Sequence, residues 1–110
     1  MAAAYFNGTD GDDTLEGTRN DDTFTGSAGN DILRGSYGND TFIFEIGNGV
    51  DHILDYNAAH DTIQFTGLLY SDLTISQSGS SVLIEYGSGD LLILENVSLA
   101  DFGEPEFLFV

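Results

Sequence analysis

The chain has 110 residues, 41% of them apolar, which suits one compact domain over residues 1–110 and excludes a wholly disordered polymer. Nineteen acidic residues against two arginines give a formal charge of −17, which excludes nucleic acid and anionic membrane as natural partners and favours cations. Without cysteine there is neither a disulfide staple nor a thiolate metal site, and no apolar run is long enough for membrane insertion as a helix.

The opening MAAAYFNG is too short, and turns polar too soon, to carry the apolar stretch of a conventional signal peptide. Four nonapeptides follow in phase over residues 8–43: GTDGDDTLE from Gly8, GTRNDDTFT from Gly17, GSAGNDILR from Gly26 and GSYGNDTFI from Gly35. Position one is always glycine. Position six is always aspartate (Asp13, Asp22, Asp31, Asp40), and position eight is always large and apolar (Leu15, Phe24, Leu33, Phe42). Position four is Gly11, Asn20, Gly29 or Gly38, residue types that accept the left-handed backbone of a tight turn. Each unit therefore reads as a loop followed by a very short strand. The order Leu, Phe, Leu, Phe at position eight predicts a coil made of two nonapeptides, with two facing sheets, Leu15 over Leu33 and Phe24 over Phe42.

So few apolar side chains cannot by themselves offset the backbone entropy of ordering these repeats. Stacking also sets Asp13 near Asp31 and Asp22 near Asp40, and like charges so placed repel unless a cation lies between them. Carboxylates and turn carbonyls are hard oxygen donors, and they suit the six to eight ligands that Ca²⁺ prefers. Zinc would want His or Cys at the phase-locked positions, and Mg²⁺ demands a stricter octahedron.

Residues 44–65 lose the register by two and then partly regain it. IGNGVDHIL aligns Asp51 with position six and Ile53 with position eight, and AHDTIQF offers Asp61 and Ile63 in the same way. These are expected to be irregular further coils, with Asp31 paired to Asp51 and Asp40 to Asp61 around additional ions. Over residues 66–110 the runs LTISQ, SVLIEY and DLLILE, separated by SGS and GSG, predict strands joined in two hairpins. That segment is expected to cap the last coil as a small antiparallel unit and to supply the aliphatic core that the repeats lack.

The repeats GTDGDDTLE, GSAGNDILR and GSYGNDTFI resemble the calcium-binding nonapeptide of repeats-in-toxin (RTX) proteins. The resemblance implies an all-β fold, a parallel β-roll holding Ca²⁺ between loops that neighbour each other along one edge. One loop would give the carbonyls of positions two and four, the next same-edge loop those of positions one and three, and both would give the aspartate. Carried onto this sequence, one ion would use Thr9, Gly11 and Asp13 with Gly26, Ala28 and Asp31. A second would use Thr18, Asn20 and Asp22 with Gly35, Tyr37 and Asp40. Ser27 with Gly29, and Ser36 with Gly38, hold positions two and four toward the further sites at Asp51 and Asp61. At least two ions are expected, and more if the irregular coils bind. The chain departs from the family pattern where Thr or Ser replaces glycine at position two, at Asn20, and at Arg19, each expected to weaken a site rather than abolish it.

The resemblance extends to the C-terminal region of type I secretion substrates, where the ending EPEFLFV, with Glu106 before four apolar residues, reads equally as a secretion signal or as a last core strand. His52 and His60 fall beside the aspartates at positions expected to be exposed, and neither has a partnered nucleophile or a third ligand in the pattern. There is no zinc-protease helix motif, nucleophile elbow or phosphate loop. The sequence thus predicts a non-enzymatic, calcium-folded module that supports the stability and type I secretion of a larger extracellular bacterial protein. Its partners would be calcium, the passenger domain and the secretion machinery. The alternative is a carbohydrate-binding auxiliary module, since repeats of this kind occur in secreted alginate epimerases; Arg19 and Arg34 would then have to hold a polyanionic polysaccharide, with calcium as a bridge.

Overall fold

The computed structural model describes residues 4–57, 60–87, 89–99 and 107–110. Seven short strands wind alternately into two sheets: β1 (Tyr5–Asn7), β2 (Thr14–Glu16), β3 (Thr23–Thr25), β4 (Ile32–Arg34), β5 (Thr41–Glu45), β6 (Val50–Ile53) and β7 (Thr62–Thr66). Odd strands pair with odd and even with even, all in parallel, so that each coil contributes one strand to each sheet. Side chains alternate faces along a strand. Position eight therefore points between the sheets, while positions seven and nine point outward, as the exposed–buried–exposed pattern of β4 shows.

The register places Leu15 beside Leu33 and Phe24 beside Phe42, as the alternation predicts. The columns run on into the irregular coils, Leu33 to Ile53 and Phe42 to Ile63. In the other direction Phe6 joins the aromatic column through β1, a strand that three residues outside the repeat phase did not announce. Phe6, Phe24 and Phe42 stack with centroids 5.0 Å apart at each step. The core deepens toward the C-terminal half: Phe24, Leu33, Phe42, Ile53 and Ile63 are fully buried, whereas Phe6 and Leu15 are only partly covered.

After a 3-10 turn at Tyr70–Asp72, β8 (Thr74–Ser78), β9 (Ser81–Gly87) and β10 (Asp90–Glu95) form the expected antiparallel pair of hairpins. They do not simply lie across the end of the roll. β10 runs parallel to β6, from Leu91 beside Val50 to Leu94 beside Ile53, and β11 (Phe107–Phe109) runs parallel to β7. Both sheets thus continue into the C-terminal segment, because a last coil would otherwise leave its strand amides and carbonyls unpaired. Val82, Ile84, Tyr86, Leu92 and Leu94 supply the expected core.

At the C-terminus Phe107 and Phe109 pack on Phe65, with centroids 5.6 and 6.0 Å away, while Leu108 and Val110 are exposed. That is the geometry of a core strand; Glu106, the acidic residue of the other reading, lies outside the described residues. No helix among the described residues is long and apolar enough to cross a membrane.

Candidate metal centre

Loops 8–13, 26–31 and 46–49 line one edge of the roll, and loops 17–22, 35–40 and the described part of 54–61 line the other. Along each edge the position-six aspartates form a backbone-tied ladder. Asp13 N donates to Asp31 Oδ1 (2.9 Å) and Asp31 N to Asp51 Oδ1 (2.9 Å). On the second edge Asp22 N donates to Asp40 Oδ1 (2.9 Å) and Asp40 N to Asp61 Oδ1 (3.0 Å). One oxygen of each acceptor is thereby committed to holding the coil. A second ladder runs the other way at position five, where Asn30 N donates to Asp12 Oδ1 (2.8 Å) and Asn39 N to Asp21 Oδ1 (2.7 Å).

The other oxygen is where the chemistry lies. Oδ2 of Asp31, Asp40 and Asp51 is buried without any hydrogen-bond partner. A buried anionic oxygen left so is costly unless a cation compensates it. Burial drives the Asp40 and Asp51 carboxyls up to about 7 against the relief of their backbone hydrogen bonds, with the neighbouring aspartates adding repulsion. Burial likewise raises the Asp31 and Asp61 carboxyls.

Carbonyls converge on the same gaps. A methyl placed on Gly8 would run into the Gly26 carbonyl and lie 2.7 Å from Asp13 Oδ2; on Gly17 it would meet the Gly35 carbonyl at 2.6 Å and Asp22 Oδ2 at 2.8 Å. Position-one carbonyls thus face back toward the preceding coil. The position-four carbonyls of Gly11, Asn20 and Gly29 face forward, onto Gly29, Gly38 and Gly49 of the next. Among the described residues no three acidic or histidine side chains form a metal-holding group. A cation in these gaps would meet two carboxylates and convergent carbonyls, a donor set that fits Ca²⁺ rather than zinc.

The loops are not equivalent. Positions two and four are left-handed in loop 26–31 (Ser27 φ +66°, Gly29 +96°), in loop 35–40 (Ser36 +64°, Gly38 +93°) and in loop 46–49 (Gly47 +99°, Gly49 +80°). Thr9, Gly11, Thr18 and Asn20 do not share this conformation. A β-branched residue resists positive φ. Thr9 and Thr18 instead turn their amides onto Asp13 Oδ2 (2.6 Å) and Asp22 Oδ2 (2.8 Å), with their hydroxyls alongside. Threonine at position two therefore occupies the carboxylate oxygen that Asp31, Asp40 and Asp51 leave open; Asp61 Oδ2 is likewise taken, by Asn57 N (2.9 Å). Ala28 and Tyr37 sit at position three between left-handed neighbours. Among the described residues Arg19 forms no ion pair with an aspartate; its guanidinium lies 5.6 Å over the Tyr37 ring.

His52 is less exposed than its position suggests, because β10 brings Glu95 beside it; Nδ1 and Oε2 are 3.1 Å apart. His60 is exposed and lines a pocket of about 300 Å³ with Ser36, Tyr37, Asn39, Asn57 and Asp61. Two carboxylates outside the repeat phase also reach the loops. Asp55 accepts from Gly35 N (2.9 Å) and Ser36 N (2.8 Å), and Asp90 accepts from Gly47 N (2.9 Å) and Gly49 N (3.0 Å). Asp55 lies one coil beyond its partners, whereas Asp90 has no positional signal in the sequence, since it spans more than forty residues to its own.

Two sheets of short parallel strands, edged by loops of carboxylates and convergent carbonyls, define a calcium-binding β-roll. The model of the RTX calcium-binding nonapeptide repeat (4 copies) matches residues 7–42 and 16–51, and this segment belongs to that family. Among solved structures the chain is similar to the extracellular lipase LipA from Serratia marcescens, at 23% identity and a TM-score of 0.76 over 96% of this chain. The match covers 21% of the lipase, so the chain spans about a fifth of that protein's length. Two subunits of an Azotobacter vinelandii mannuronan C5-epimerase also match. AlgE6R2 is 26% identical, with a TM-score of 0.48, covering 94% of this chain and 91% of that one. AlgE6R3 is 24% identical, with a TM-score of 0.43, covering 92% and 80%. No curated protein matches the chain.

Proposed function

We propose that the chain is a module whose folding is driven by calcium and which supports the stability and type I secretion of a larger extracellular protein. The observation that carries this reading is the set of buried, partnerless Oδ2 atoms of Asp31, Asp40 and Asp51, repeated in register along the two loop edges. Bound calcium would supply the positive charge and oxygen-seeking coordination sphere that these gaps lack. Asp13, Asp31 and Asp51 would serve one edge, Asp22, Asp40 and Asp61 the other, with the position-one and position-four carbonyls directed as the geometry above has them. Without compensation the carboxylates repel and disfavour the roll, so a ligand that binds mainly the folded form draws the chain into it. Low calcium inside the cell and high calcium outside would then confine folding to the exterior. The extracellular lipase that shares this fold over a fifth of its length supports the notion of an attached passenger. A carbohydrate-binding role rests on Arg19 and Arg34, and the first of these is engaged over Tyr37.

The test is far-UV circular dichroism during calcium titration with magnesium as control. The expected course is a coil-like spectrum that becomes β-rich at roughly 10⁻⁶ to 10⁻³ M calcium. A chelated chain with the same β-rich spectrum and the same heat resistance as the loaded one would refute the proposal.

A further inference from the structure

The peptide group is planar and trans, so the N–H of one residue and the carbonyl of the residue before it point in opposite directions. Asp90 accepts the amides of Gly47 and Gly49 from the C-terminal side of loop 46–49. Its two hydrogen bonds therefore turn the carbonyls of Ile46 and Asn48 away from Asp90, to the side on which loop 26–31 lies in the sheet order. Those residues stand at positions one and three of the irregular repeat. On the other edge Asp55 accepts Gly35 N and Ser36 N, and the Gly35 carbonyl faces back onto Gly17; there the holding carboxylate comes from the next coil of the ladder itself, the one that carries Asp61. Asp90 is buried, lies on the strand that continues the sheet beyond β6, and is outside the aspartate ladder. Beside Asp51 in β10 stands Leu92, so no carboxylate of the ladder follows there.

We infer that Asp90 is a positioning residue: a carboxylate clamp that orients the loop carbonyls of the last calcium gap on its edge by holding the amides behind them. The clamp replaces the ordering that a further ion-bearing coil would give. It rests on the calcium reading above, yet predicts something that reading does not, namely that a residue touching no ion governs one gap in particular. Outer carboxylates that orient metal ligands typically matter by about 10- to 100-fold in metal affinity.

The test is isothermal calcium titration of the whole chain as wild type, Asp90→Ala, Asp90→Asn and Leu92→Ala, with amide NMR at Gly47 and Gly49 to locate the affected gap. Asp90→Ala is expected to weaken one ion about 10- to 100-fold and leave the others unchanged. Asp90→Asn, which keeps one acceptor and sets an NH₂ group against the other amide, should fall between. Leu92→Ala removes core without touching the clamp and should weaken all ions together. Unchanged binding in the Asp90 variants, or a uniform weakening like that of Leu92→Ala, overturns the clamp. An Asp90→Asn chain that remains unfolded at saturating calcium overturns it too, since the other gaps should still fold the roll. If Asp90→Ala alone does not fold, Asp90→Asn decides. A wild-type chain that binds no calcium overturns the proposed function itself, and the clamp with it.

Discussion

Asp31 and Asp13 occupy the same repeat position on the same edge, yet the structure assigns them different weights. Asp31 is fully buried, its Oδ1 holds the Asp13 amide, its own amide is held by Asp51, and its Oδ2 is free of partners. It faces a gap on either side. Asp13 is half-exposed, faces one gap, and has Oδ2 taken by Thr9 N. At calcium one hundred times its dissociation constant, each bound ion stabilises the fold by about 2.7 kcal/mol. Asp31→Ala should therefore lose on the order of 5 kcal/mol in calcium by disabling two gaps, and Asp13→Ala about half of that. In chelator the balance changes. Removing Asp31 leaves the Asp13 amide without its acceptor, at about 1–3 kcal/mol, but also removes a buried charge that lies between Asp13 and Asp51. The two effects oppose, so the metal-free loss should be the smaller one. Thermal unfolding followed by circular dichroism, in excess calcium and in chelator with enough stabilising osmolyte to hold the metal-free chain folded, measures both. Equal losses for the two variants in calcium, or an Asp31→Ala loss as large in chelator as in calcium, would refute the shared-ligand reasoning.

Three further outcomes are expected. In chelator, acid should stabilise the roll: Asp40 and Asp51 titrate near 7 when folded against 3.8 ordinarily, so the folded form binds more protons across that interval and stability falls as pH rises from about 4 to about 7. In calcium the same protons compete with the ion, so affinity should drop as pH falls through that window; a chelated chain whose β content by circular dichroism does not rise on acidification from about pH 7 to about 4 would contradict the assignment. Phe24→Ala empties the middle of the Phe6–Phe24–Phe42 stack and should cost about 3–5 kcal/mol by denaturant titration in saturating calcium, where the fold is intact. Gly29 and Gly47 both have left-handed backbones, but only at Gly29 would a methyl run into backbone, the Gly11 carbonyl. Gly29→Ala should thus destabilise well beyond the roughly 1 kcal/mol of conformational strain expected for Gly47→Ala, read from melting temperatures of the loaded proteins.

The nonapeptide phase alone carried the winding of the chain. Position six and position eight recur at one spacing, so pairing any two coils in register brings every aspartate to an edge and every Leu or Phe to the interior at once. That is why Leu33 over Leu15, Phe42 over Phe24, and even the slipped partners Asp51 and Asp61 are legible in the sequence, each being a local periodicity repeated. The remainder depended on contacts that no period encodes. Whether position two turns left-handed, as at Ser27, or folds onto its own aspartate, as at Thr9, follows from backbone sterics and from which coil lies behind it. β1 joined the aromatic column because β3 offered an open edge, and β10 and β11 became parallel strands because β6 and β7 offered theirs. Asp90 holds the amides of a loop more than forty residues before it. Such pairings arise only when the closing of long stretches of backbone sets a carboxylate and an unsatisfied N–H face to face, and the free energy of that meeting belongs to the assembled roll.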